Sequence, residues 1–221
     1  MSSLLSQGPL SIPFVRWVAA ALCLAVLLYF VPLVHFTPLQ QAQDKIAQAK
    51  FDAVKYADDF WHGPLLAETE NALKIEELIS ALQASPKKAA ERYGKRLGLS
   101  SSSSYFIRGT GTIISKQDDV ISIALTNSDS AKVVIELGPV FGNAIRDGSG
   151  LLDISQFSNT QEFNAISSEI NMKVEQLVFP VLDDPEMLPG TVLRFAGGIE
   201  LPDADTAPLK LNLIPVVVAR L

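Results

Sequence analysis

Val120-Ile-Ser-Ile-Ala-Leu-Thr-Asn-Ser-Asp-Ser-Ala-Lys-Val-Val-Ile-Glu-Leu137 is the stretch whose reading decides the fold. Ile121, Ile123 and Leu125 alternate with Ser122, Ala124 and Thr126, and Val133, Ile135 and Leu137 alternate with Lys132, Val134 and Glu136. A period of two sends successive side chains to opposite faces of a strand. Asn127-Ser-Asp-Ser130 between the runs is turn chemistry, so the two strands are expected to form a hairpin. Gly109-Thr-Gly-Thr-Ile-Ile114 is expected to open an earlier strand, and residues 191–199 and 209–218 to form two later ones. The acidic loop Pro202-Asp-Ala-Asp205 separates those two, and Pro215 predicts an edge or a bulge in the last. Gly111-Thr-Ile-Ile and Gly190-Thr-Val-Leu echo each other, the pattern of a duplicated three-strand unit.

Helical spacing appears on both sides of a serine run. Upstream, Ile46, Ala49, Ala53, Ala57 and Phe60 or Trp61 recur at three- and four-residue steps, which predicts a helix over 40–61. Gly63-Pro64 is expected to end it. A second helix is expected over 65–83, with Ala72, Ile75, Ile79 and Leu82 on one stripe. A short third helix is expected to start at Pro86 and end near Gly94 or Gly98. Ser100 to Ser104 reads as a flexible connector. Downstream, Ile154 and Phe157 read as a short extended piece. Phe163, Ile166, Ile170, Val174 and Leu177 then predict a helix over 160–178. Ser158-x-x-Gln161 supplies a capping-box signal for it, and Asn159 is an equally good cap. The expected class is therefore α+β: a helical segment over 40–99, then a small antiparallel OB-like β-barrel over 100–221 with one packed helix.

Residues 1–39 read as a cytoplasmic tip and a transmembrane signal anchor. From Trp17 to Gln43 there is no Asp, Glu, Lys or Arg. The apolar run from Trp17 to Val34 is long enough to cross a hydrocarbon layer of about 30 Å. Trp17 suits an interface, and Pro32 would kink or end the last turn. A cleaved secretory signal would want a small-x-small site, and no Ala-x-Ala follows Tyr29. A lipoprotein signal would want a small residue before the modified cysteine, where Leu22 precedes Cys23. An uncleaved anchor fits best. Arg16 beside the run, against mixed charges beyond it, orients the N-terminus inside and the C-terminal domain outside. The expected location is the bacterial inner membrane, single-pass, with the domain in the periplasm.

Charge and chemistry narrow the function classes. Arg16 is the one basic residue before Gln40, so the remainder holds 17 of the 18 basic and all 24 acidic residues, a net −7. Such a domain repels phosphate backbones, so no nucleic-acid partner is expected. Cys23 is the sole cysteine, which precludes an intrachain disulfide. The two histidines, His35 and His62, share no metal-ligand spacing with carboxylates. The pairs Asp58-Asp59, Asp118-Asp119 and Asp183-Asp184 point apart on any regular backbone. Neither enzymatic activity nor a cofactor is expected.

One segment resists a purely structural reading: Glu136-Leu-Gly-Pro-Val-Phe-Gly-Asn-Ala-Ile-Arg-Asp-Gly148. In one account its turns place Arg146 and Asp147 as a structural pair. In the other, a guanidinium beside a carboxylate at a barrel mouth recognises a polyhydroxylated ligand. The candidate ligand- or partner-binding residues are Arg146, Asp147, Asn143, Gly138, Pro139 and Asn159.

Tyr56-Ala-Asp-Asp-Phe-Trp61, Gly109-Thr-Gly-Thr-Ile113 and Val134-Ile-Glu-Leu-Gly-Pro-Val-Phe-Gly-Asn-Ala-Ile-Arg-Asp147 resemble DUF2291, a family of predicted periplasmic lipoproteins of unknown function. Phe157-Ser-Asn-Thr-Gln-Glu-Phe163, Ile170-Asn171 and Gly190-Thr-Val-Leu-Arg-Phe-Ala-Gly-Gly198 extend the resemblance to the C-terminus. It implies a bacterial envelope protein, often encoded beside ribose-type sugar or polyol ABC transporters. Leu22-Cys23 departs from the lipoprotein pattern, and the family offers no catalytic residues to carry over. The expected function is a membrane-anchored accessory protein of a carbohydrate or polyol transporter, with the membrane, a permease or solute-binding protein, and a sugar or polyol as partners. The alternative is a structural or assembly protein of the envelope that binds only protein.

Overall fold

The longest strand organises the sheet. A computed structural model describes residues 51–98, 100–126 and 128–221, together with Trp17 and Leu22, and residues 51–221 form one compact unit. The expected anchor, Cys23 and the helical stretch 40–50 lie outside the described residues, apart from Trp17 and Leu22, both helical. Among the described residues no helix is long and apolar enough to cross a membrane.

The first helix, α1 (Ala53–Phe60), is capped by Asp52, whose carboxylate accepts from the Lys55 N–H at 3.0 Å. Gly63-Pro64 does not end it. The chain runs on through a π-helical turn, Trp61–Leu65, and one further turn, Leu66–Glu68. The wider turn accommodates a proline that would break a regular α-turn. The expected second helix is shorter than its stripe. A turn at 69–72 leads into the two-residue strand β1 (Leu73–Lys74), and α2 (Ile75–Ala84) follows. Ala72, Ile75, Ile79 and Leu82 are all buried as the stripe predicts. Helix α3 (Pro86–Tyr93) starts at its proline, with Ser85 as cap, and ends at Gly94.

Strand β2 (Ser102–Gln117) absorbs most of the serine run. Ser103 and Ser104 are buried, and Ser104 exchanges two 2.8 Å backbone bonds with Lys95, so ladder pairing replaces the expected flexible connector. Gly109 consequently lies mid-strand rather than at a strand start. The hairpin β3 (Val120–Leu125) and β4 (Ser128–Glu136) forms as the alternation predicts. After it come α4 (Ala144–Ser149), a 3-10 turn at Ile154–Gln156 where an extended piece was expected, and α5 (Thr160–Lys173). Helix α5 continues through a π-helical turn, Val174–Val178, and a last turn, Phe179–Leu182. Its cap is Asn159, which accepts from the Glu162 N–H at 2.9 Å, so the box predicted from Ser158 and Gln161 does not form. A capping box forms one turn earlier, between Asp153 and Gln156.

Strand β5 (Val192–Pro202) pairs with β2 in unbroken antiparallel register from Ser102↔Pro202 to Thr112↔Val192. The expected last strand is two, β6 (Lys210–Asn212) and β7 (Ile214–Arg220), parted by Leu213. The order is β6-β4-β3-β2-β5-β7, with β1 parallel to β2. Since one residue separates strands at opposite ends of that order, the sheet must curl into a partly closed barrel. Pro215 sits at the register shift where β7 meets Gly197, the edge and bulge its sequence predicts. The two echoing segments lie side by side in the sheet, Gly111↔Leu193 and Thr112↔Val192.

Helix α4 and the sheet touch backbone to backbone. A Cβ at Gly148 would lie 2.8 Å from the Tyr105 carbonyl, and one at Gly198 2.6 Å from the Ala144 carbonyl carbon. Helices α1 and α5 are tied by Lys173 Nζ to Asp58 Oδ1 at 2.6 Å. That hydrogen bond holds the Asp58 carboxyl below its ordinary value. A lowered folded-state value means the contribution is present above about pH 4 and is lost as pH falls further.

The glycine contacts give a paired prediction. Gly198→Ala must displace α4 and is expected to destabilise by about 1–3 kcal/mol or more. Gly63→Ala meets nothing within 4 Å and should be neutral or stabilising by up to about 1 kcal/mol. Chemical denaturation of the two variants checks the contrast.

Candidate functional site

The chain between β4 and α5 builds both a buried clip and an open cleft. Arg146, on the short helix α4, has a side chain with 0% exposure. Its Nε donates to Asp147 Oδ1 at 2.7 Å, and its Nη1 donates to the Phe163 carbonyl and to Asn164 Oδ1, both at 3.1 Å. The guanidinium carbon stacks 3.8 Å from the Phe163 ring centroid. A desolvated cation over an aromatic face is worth about 2 kcal/mol, which helps offset the cost of burying the charge. Arg146 therefore faces inward onto α5 rather than lining a barrel mouth. Gly150, at φ 66°, ends α4 in the left-handed conformation that glycine adopts freely.

The other candidates separate. Asp147 is mostly covered and shares a small hollow of about 180 Å³ with Asn143, Lys95 and Glu200. Asn143 stands at the N-cap of α4 without a capping side-chain bond. Pro139 is exposed, and a Cβ at Gly138 would meet nothing within 4 Å, so no close approach demands glycine there. Asn159 is the cap of α5.

Beside the clip lies a cleft of about 460 Å³. One wall is the loop Val140, Phe141, Gly142 and Asn143. The other is Asn164, Ser167, Ser168, Asn171, Met172 and Glu175, on α5 and its continuation. Two bonds hold the walls together: Asn171 Nδ2 donates to the Gly142 carbonyl at 3.0 Å, and the Val140 N–H donates to Glu175 Oε1 at 2.7 Å. Phe141 is 80% exposed at the rim. Ser167 is buried, and its hydroxyl has no hydrogen-bond partner among the described residues. A helical serine ordinarily back-bonds to the carbonyl four residues earlier. Here that carbonyl, Phe163 O, already accepts from Arg146. An unpaired buried hydroxyl costs about 1–3 kcal/mol, and Arg146 Nη2 is likewise buried without a partner among the described residues.

A larger hollow, about 530 Å³, opens between α3 and the ends of β2 and β5. Two ion pairs hold most of its charge: Arg96 Nη2 donates to Asp203 Oδ1 at 2.6 Å and to Ser103 Oγ at 3.1 Å, and Lys87 pairs with Asp205 at 3.0 Å. His62 is exposed and lies 3.1 Å from the Asp58 carbonyl. Among the described residues no three His, Cys, Asp or Glu side chains are grouped to hold a metal ion.

With this geometry in place, kinship can be stated. The family model for predicted periplasmic lipoproteins, DUF2291, matches residues 24–219. The chain belongs to that family. The fold has a solved relative in an OB-fold protein of Thermotoga maritima, 23% identical, with a TM-score of 0.67, covering 77% of this chain and 99% of that one. At that identity the likeness bears on fold alone. No curated protein matches the chain.

The sequence reading passed over Phe141 as a rim residue, named Asn171 only within the family resemblance, and did not single out Asn164, Ser167 or Glu175. A signal was present: Ser167 and Asn171 interrupt the buried face of α5 at a four-residue step, between Phe163 and Val174. Polar residues on a buried stripe mark a place where the helix faces something other than hydrocarbon.

Removing the clip leaves the Asp147 carboxylate and two carbonyl oxygens without their donor. Arg146→Ala is therefore expected to lose about 3–5 kcal/mol in denaturant unfolding. A midpoint indistinguishable from wild type would assign Arg146 no structural role.

Proposed function

We propose that this periplasmic family member is a membrane-tethered accessory protein of a carbohydrate or polyol ABC transporter. It binds a solute or a transporter component in the cleft between the 140–143 loop and α5, and it catalyses no reaction. The observation that carries this reading is the cleft itself: open, roomy enough for a small ligand, and lined by Asn164, Ser168 and Asn171. The apolar run after Arg16 supports the tether, with the domain on the periplasmic side. The family resemblance supports the transporter context.

A second form of tether has its own support. The family is described as lipoproteins, and the matched region begins one residue after Cys23. Acylation of Cys23 would replace the spanning helix as anchor. Cys23→Ser separates the two: a spanning helix predicts that the variant stays in the membrane fraction, and release into the soluble fraction would establish the lipid.

Affinity purification of the full-length protein from membranes tests the role. The expected result is recovery of a permease or a solute-binding protein. Recovery of no transporter component, together with normal sugar uptake in a deletion strain, would contradict the proposal. It would favour an assembly protein that binds only protein.

A further inference from the structure

We infer that the hollow of about 530 Å³ beside α3 is a second binding site, for a small monocarboxylate with an apolar body, and that Asp203 holds the place of the ligand carboxylate when the site is empty. It shares no lining residue with the cleft against α5, so the inference stands apart from the reading above. Its volume lies in the range of small-molecule sites, which are mostly apolar with a few placed polar groups. Leu82 of α2, Ala90 of α3, Tyr105 of β2 and Leu201 of β5 supply apolar walls.

The loop joining β5 to β6 forms another side, through Asp203, Ala204, Thr206 and Pro208. A smaller hollow of about 110 Å³ is lined by Ala207, Pro208 and Leu209 of the same loop, and both hollows reach Leu82. The loop is therefore loosely packed on the body. Among the described residues its side chains make two polar contacts with the rest of the domain, the ion pairs Arg96–Asp203 and Lys87–Asp205. Both pairs are exposed, and exposed pairs contribute little stability. Little opposes the withdrawal of Asp203.

Arg96 sets the chemical class. Its Nη2 donates to Asp203 Oδ1 and to Ser103 Oγ, which uses both hydrogens of that nitrogen. Its Nε and Nη1 have no partner among the described residues, and its side chain is 40% exposed. A guanidinium presents a planar fork that matches a carboxylate at two points. Asp203 is thus a tethered carboxylate on the donor that a ligand carboxylate would take, an internal competitor. A dianion fits poorly, because Glu91 and Asp203 share the lining with that single guanidinium.

Titration calorimetry of the full-length protein in detergent tests this with 4-phenylbutyrate as probe, and with neutral 4-phenylbutan-1-ol and inorganic phosphate as counterparts. Ala90→Phe fills the hollow and serves as the blank for partition into the detergent. Saturable heat is expected with 4-phenylbutyrate, absent in Ala90→Phe and at least about tenfold weaker with either counterpart. Asp203→Asn should bind the probe about tenfold tighter, and Arg96→Gln about tenfold weaker. A purely structural ion pair would move those two variants in the same direction. Any of four results would overturn the inference: no saturable heat in wild type or Asp203→Asn up to about 10 mM, unchanged binding in Ala90→Phe, a counterpart binding as well as the probe, or Asp203→Asn binding no tighter than wild type.

Discussion

A single buried guanidinium holds the functional end of this domain together. Arg146 reaches from a six-residue helix into the first turn of α5, where it takes a carbonyl, an amide oxygen and an aromatic face at once. A short helix such as α4 has little stability of its own. It is fixed from both sides, by Arg146 on α5 and by the glycine contacts that press its backbone onto Tyr105 and Gly198. Because neither contact tolerates an added methyl or a lost donor, the 140–143 loop preceding α4 has one available path. That path forms the outer wall of the cleft.

The clip also sets the polarity of the cleft. By occupying Phe163 O it deprives Ser167 of its usual acceptor, and by occupying Asn164 Oδ1 it turns the amide donor outward. Asn171, bound to the Gly142 carbonyl, is turned the opposite way. Bonding on one side of α5 thus orients the Asn164 and Asn171 amides on the other, while Ser167 Oγ and Arg146 Nη2 stay buried without partners among the described residues. In the larger hollow near Arg96, Arg96 and Lys87 are instead taken up by ion pairs with Asp203 and Asp205. Preorganised, incompletely satisfied polar groups are what a binding site requires, and the domain has them where the sequence carries its most distinctive stretch.

Much of the fold was legible where one physical signal acted alone. The alternation around Ile121–Leu125 and Val133–Leu137 defined the hairpin, and the Ala72–Leu82 stripe defined a buried face. The reading failed where tertiary pairing outvoted local composition. Five serines look like a linker, yet Ser103 and Ser104 are paired to β5 and Lys95 and lie in the core. Gly63-Pro64 looks like a stop, yet a π-helical turn carries the helix through it. In the candidate site, Arg146 and Asp147 stood out because glycine and proline bracket them. The residues facing the cleft did not, because Ser167 and Asn171 acquire meaning only once the loop is known to lie across α5.

The central claim is that Arg146 couples α4, the loop and α5 into one unit that shapes the cleft. Amide hydrogen exchange on full-length protein, comparing wild type with Arg146→Lys, tests it most directly. Lysine keeps the charge but loses the planar fork that serves three acceptors. The account predicts that residues 140–149 and 163–171 lose protection together, while the β2–β5 ladder keeps its own. Unchanged protection in α4 and the loop, or a uniform loss across the sheet, would contradict it.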